Sequence, residues 1–153
     1  MVRPTLEYAS TCWDPHSKDL IEDIEQVQKR AARFVYNNYR SKEPVCVTNM
    51  LDALNWEPLS QRRAKNRVIM LYKIINNQVT IDPNTYLKTK VTHVLERNIN
   101  INKLQLQKTY ISILFFFRTI RSWNYLPSAV AQAPDLDSFR SGLEGIQFPP
   151  AFM

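Results

Sequence analysis

Apolar and polar positions follow a helical beat over much of the chain. Between Ser17 and Asn38, the residues Leu20, Ile24, Val27, Ala31 and Phe34 step by 4, 3, 4 and 3. At about 100° per residue they fall within a stripe about 80° wide, which predicts an amphipathic helix with that stripe in the core. Lys29 and Arg33 lie on the opposite side, free to meet solvent or a phosphate. From Leu59 to Asn77 the apolar set Leu59, Ala64, Val68, Met70, Leu71, Ile74 and Ile75 covers half of a second helix, starting just after Pro58. Arg63 and Arg67 fall inside that apolar half, which predicts buried or half-buried ion pairs with acids of the first segment. Arg62, Lys65 and Lys73 lie on the outer face, where a solvated surface and phosphate contact are both open.

Weaker patterns fill the remainder. Residues 2–13, carrying Leu6, Tyr8 and Trp13, read as a short helical piece closed by Asp14-Pro15. Tyr39 to Val47 reads as a polar connection, with Thr48 capping a short helix that holds Met50, Leu51 and Leu54 ahead of Trp56. Val79 to Asp82 and Lys103 to Lys108 alternate like short strands that would pair as one small ribbon. Tyr110 to Phe115 is an apolar run. Phe116, Ile120 and Trp123 then mark a helix ended by Asn124 and Leu126-Pro127, with Arg118 and Arg121 off its apolar face and Phe115-Phe116-Phe117 read as core. Asp135 or Asp137 would cap a last small helix holding Leu136, Phe139 and Leu143. The fold class is therefore mainly α, an irregular multi-helix domain with a small β-ribbon in the middle. Its parts are a helical region at 1–78, a basic irregular connection at 79–110, a C-terminal helical motif at 111–145 and a frayed tail at 146–153.

Composition narrows the function classes. In 153 residues there are only 2 Gly against 9 Pro, which disfavours phosphate-cradling loops and tight hairpins. The net charge of +6 is uneven: −4 over residues 1–28, +7 over 29–73, +5 over 74–125 and −2 over 126–153. Basic charge in the middle of the chain suits an anionic partner such as RNA, DNA or their hybrid. In the first long helix, however, the acids come early and the bases late, as its own macrodipole favours without any ligand. The longest apolar run, Ile111 to Phe117, is too short to span a bilayer, and the N-terminus has no signal-peptide pattern. Together with two unpaired cysteines, this implies an intracellular protein, nuclear or cytoplasmic.

No catalytic constellation emerges. Two-metal chemistry needs converging carboxylates, yet the chain contains no Asp-Asp pair, and Glu22-Asp23 point about 100° apart on a helix. His16 and His93 lie in no motif that links either to a nucleophile. Cys12, His16, Cys46 and His93 match no compact zinc finger, so neither a metal nor a cofactor is expected.

Several blocks nevertheless form an ordered set. Val2-Arg3-Pro4-x-Leu6-Glu7-Tyr8-Ala9-Ser10, followed by Trp13-Asp14-Pro15-His16, resembles a segment of LINE-type, jockey-like non-LTR retrotransposon reverse transcriptases, downstream of the polymerase palm. Ile24-Glu25-x-Val27-Gln28-x-Arg30-Ala31-Ala32-Arg33-Phe34-Val35 is similar to the block that follows there. So are Val47-Thr48-x-Met50-Leu51-x-x-Leu54-x-Trp56-x-x-Leu59-x-x-Arg62-Arg63 and Leu71-Tyr72-Lys73-Ile74. Arg118-Thr119-Ile120-Arg121-x-Trp123-Asn124-x-Leu126-Pro127 and Leu136-Asp137-Ser138-Phe139 resemble the closing motif. The resemblance covers residues 2–143 and departs at Phe117, where proline is usual, and at Ser122, where an acid is common.

The resemblance implies the end of the thumb and the helical region after it in an RNA-directed DNA polymerase. The metal-binding aspartates of that enzyme lie upstream, so no catalytic residue carries over, and activity would need the upstream polymerase region. Met1 stands just before a block that continues an upstream helix in such enzymes, which implies a truncated or decayed copy, or a gene model drawn over one. Candidate nucleic-acid contacts are Lys29, Arg33, Arg62, Lys65, Lys73, Arg118 and Arg121; the structural motif comprises Trp13, Trp56, Arg63, Arg67, Trp123, Asn124 and Pro127. The alternatives are a retained basic helical module that binds nucleic acid or protein, and an inert remnant.

Overall fold

A computed structural model describes residues 6–15, 17–38, 44–83, 87–90, 103–106 and 113–149. These are mainly helical. In chain order the elements are α1 (Ser10–Trp13), α2 (Lys18–Val35), α3 (Pro44–Ala53), α4 (Leu59–Ile75), β1 (Leu87–Lys90), β2 (Lys103–Leu106), α5 (Ile113–Asn124), α6 (Ser128–Ala131) and α7 (Leu136–Leu143). They fall into two compact units, Met1–Arg63 and Ala64–Met153.

In the first unit α2 packs against α3. The predicted core stripe of α2 is only partly realised: Leu20 and Phe34 are 53% and 73% exposed, whereas Gln28 and Ala32 are buried. The helix has rotated toward its polar side because Gln28 and Glu25 answer backbone groups at the start of α4. The Gln28 amide donates to the Glu57 carbonyl at 3.1 Å, and Glu25 accepts from the Leu59 and Ser60 amides at 3.2 and 2.6 Å. α3 begins at Pro44, earlier than Thr48, because proline is pre-shaped for a first helical turn; Thr48 is exposed within it.

The helices α2, α3 and α4 end alike. Asn37, Asn55 and Asn77 adopt left-handed φ values of 49°, 51° and 54°. The next residue then reaches back to the helix: Asn38 to the Arg33 carbonyl at 3.0 Å, Trp56 to Leu51 at 2.8 Å and Gln78 to Lys73 at 2.8 Å. This is the Schellman closure, and in a chain with 2 Gly asparagine supplies the left-handed residue.

The second unit is built on an apolar core. Val68, Leu71 and Tyr72 of α4 join Phe116, Ile120 and Trp123 of α5 and Phe139 and Leu143 of α7. Phe139 stacks on Tyr72 and Trp123 with ring centroids 4.3 and 5.7 Å away, and the Tyr72 hydroxyl donates to the Ala133 carbonyl at 2.9 Å. Gly142 lets α7 approach α6, since a Cβ there would lie 3.0 Å from both Val130 methyl groups. Asp135 is the cap of α7, accepting from the Asp137 and Ser138 amides at 3.0 and 2.8 Å.

The ribbon exists with a different first strand. β2 pairs antiparallel with β1, in the register Leu87↔Leu106 and Thr89↔Leu104, whereas residues 79–82 form no strand. Of the frayed tail expected at 146–153, residues 150–153 lie outside the described residues; before them Phe148 is buried in the core and Ile146 packs against it, because an aromatic side chain gains more from burial than a short terminus gains from freedom.

Candidate nucleic-acid interface

Each candidate cation has a distinct local environment. Lys29 is half-buried and donates from Nζ to Glu22 Oε1 at 2.7 Å, a hydrogen bond that holds the Glu22 carboxyl below its usual range. Arg33 is also half-buried, and its Nε is buried without a hydrogen-bond partner among the described residues. The sequence pattern placed both in open solvent; the turn of α2 toward its polar side draws them partly inward. Arg62 departs further, since it forms an ion pair with Glu7 and is half-buried, although its helix position faces outward. Glu7, from the short segment before α1, supplies what the helix pattern alone could not show.

In the second unit Lys65 Nζ lies 3.4 Å from the Glu144 carbonyl, and Lys73 is half-buried with no polar partner among the described residues. Arg118 is half-buried and Arg121 exposed. The Arg121 guanidinium carbon sits 5.8 Å from the centroid of the Phe117 ring. Phe117 and Tyr125, each 50% exposed, flank Arg121 at a spacing of four residues. Tyr125 lies in the turn after α5 with its ring 6.3 Å from that of Phe148, so the pair on the helix is Arg121 with Phe117, a cation that can meet a phosphate beside an exposed ring face.

The sequence reading missed Phe117 and Tyr125 by treating Phe115-Phe116-Phe117 as core throughout. Phe116 is buried with Ile120 and Trp123, and Phe117, about 100° further round the helix, must then point out. Ser122 is fully buried and its hydroxyl donates to the Arg118 carbonyl at 3.3 Å, so an acid there would be a buried charge. Phe117 lies inside α5, where a proline would remove a helical hydrogen bond.

The motif residues sit mostly inward. Arg63 is 1% exposed and bridges Asp14 at 3.0 Å and Glu25 at 3.8 Å. None of the three Arg63 guanidinium nitrogens makes a hydrogen bond among the described residues, so the cluster is held by charge. One guanidinium faces two carboxylates, and the surplus negative charge on Glu25 is met by the amide end of α4. Arg67 is 2% exposed. The Trp13 indole donates to the Tyr8 carbonyl at 2.7 Å, Trp56 is half-buried, and Trp123 is buried on Phe139. Asn124 is half-buried; Pro127 is exposed, and its carbonyl accepts the Val130 and Ala131 amides of α6.

No cluster of His, Cys, Asp and Glu able to hold a metal occurs among the described residues. Cys12 and Cys46 are free thiols, while His16 and His93 lie outside the described residues. No helix among the described residues is long and apolar enough to cross a membrane. No family model matches the chain, and no curated protein or solved structure matches it significantly.

Proposed function

We propose that the chain corresponds to the helical region that follows the palm in a non-LTR retrotransposon reverse transcriptase, without a polymerase active site of its own. Its role is support of nucleic-acid binding inside the cell, through RNA, DNA or a hybrid. The observation that carries this reading is where the resembling residues lie. Arg63, Leu71, Trp123, Leu126 and Phe139, drawn from separate blocks of the resemblance, are all buried. Blocks that specify a scaffold are those expected of a region that positions a template, whereas catalytic blocks would expose convergent polar groups. The exposed cation and aromatic rings of Phe117, Arg121 and Tyr125 supply the surface.

The test is a titration of the full chain with labelled RNA, DNA and hybrid over a salt series. Phosphate contact gives a log-log slope of about −0.7 to −0.9 per phosphate neutralised. A variant with Lys65→Glu, Lys73→Glu and Arg121→Glu should lose binding while keeping its helicity. Arg62 is left intact in it because reversal would set a second carboxylate against Glu7. Unaltered affinity in the variant moves the reading to a protein-interaction module or an inert remnant. A primer-extension assay should show no incorporation, and incorporation above a heat-killed control would overturn the absence of an active site.

A further inference from the structure

The incomplete burial of α2 leaves an apolar seam with a specific arrangement of charge along its edge. Leu20, Ile24, Val27, Ala31 and Phe34 repeat at 4 and 3, the a/d spacing of a coiled-coil seam, but Leu20 and Phe34 are exposed and the three between them only half-buried. The edge of the seam on the Gln28 and Ala32 side is closed by the first unit's own packing. The other edge carries Asp23 and, two turns later, Arg30. Both are exposed and neither has a polar partner among the described residues.

We propose that two copies of this chain associate through α2, antiparallel, about a two-fold axis passing between Glu25 and Gln26. In that arrangement Ile24 of one copy lies across from Val27 of the other, and Leu20 across from Ala31. Asp23 then meets Arg30 of the second copy, and Arg30 meets its Asp23. The contact is isologous, so one pair of residues satisfies both ends of the seam. A parallel pairing would have to use the edge that holds buried Gln28, and it would bring no opposite charges together. An 18-residue helix offers about 27 Å of seam, so the association belongs to the weak, small-interface class.

Sedimentation velocity on the full chain, under reducing conditions and without nucleic acid, tests this from micromolar to millimolar protein. A monomer–dimer equilibrium is expected. Asp23→Arg alone and Arg30→Asp alone should each weaken it about tenfold, since attraction at both ends becomes repulsion. The double variant should regain wild-type association. An equimolar mixture of the two single variants should form a heterodimer that neither forms with itself. Phe34→Lys should abolish association with an unchanged circular dichroism spectrum, and recovery in the mixture shows that the single variants are folded. A wild-type chain monomeric at millimolar concentration, or a dimer indifferent to both single reversals, overturns the proposal.

Discussion

The two units solve the same problem with different chemistry. Residues 1–63 are pinned by charge: Arg63, Asp14 and Glu25 form a buried cluster, and Gln28 holds the entry to α4. Residues 64–153 are pinned by apolar shape, with Tyr72, Phe139 and Trp123 stacked at the centre. A buried ion cluster adds little net stability over an apolar replacement, yet losing one member is severe because the others remain charged and dry. An apolar core tolerates loss of any one side chain in proportion to the cavity left behind. The first unit is therefore specified by matching, the second by volume.

Substitution at the two centres separates these modes most sharply. Phe139→Ala should cost about 4 kcal/mol in denaturant unfolding of the full chain, and no change of charge elsewhere should restore it. Arg63→Met should cost about 3 kcal/mol, and adding Asp14→Asn should recover part of it, with Glu25 kept because both of its oxygens accept α4 amides. Equal rescue of both, or of neither, would erase the distinction. A smaller effect is expected where α2, α3 and α4 close. Asn37→Gly, Asn55→Gly and Asn77→Gly should each raise stability by about 0.5 kcal/mol, because glycine takes the left-handed φ with less strain.

The mildest probe is pH. Amide and hydroxyl hydrogen bonds from Ser138, with the Asp137 amide, hold the Asp135 carboxyl below its usual range. A carboxyl depressed in the folded state adds stability above its unfolded pKa and loses it as pH falls through the folded value. Thermal melts should thus show wild type above Asp135→Asn near neutrality and a shallower decline for the variant, the two converging as pH falls across the acid range.

Helix periodicity made much of the second unit legible. The period through Phe116, Ile120 and Trp123 marked the inner face of α5, although the helix starts earlier, at Ile113. Asp135 was one of two capping candidates, and α6 carried too short a pattern to register. In the first unit the same rule misplaced α2, because an apolar count gives no weight to a carboxylate that caps another helix or an amide that meets a carbonyl. Arg63 was legible as an inward cation paired with acids of the first segment, and Asp14 and Glu25 are two of them; which of the six acids there it would meet was not, since 49 residues separate it from Asp14 and 38 from Glu25. Arg62 misled for a related reason: its acid lies outside any periodic segment. Alternation did mark Lys103 to Leu106 as a strand, and Leu87-Lys88-Thr89-Lys90 carries the same alternation that residues 79–82 were credited with.

The charge cluster also bears on how this sequence can change over generations. Positions 14, 25 and 63 are bound to one another, so a neutral substitution at any one creates selection on the other two. Relatives should display them in two combinations, all charged or all uncharged, with intermediates rare and short-lived.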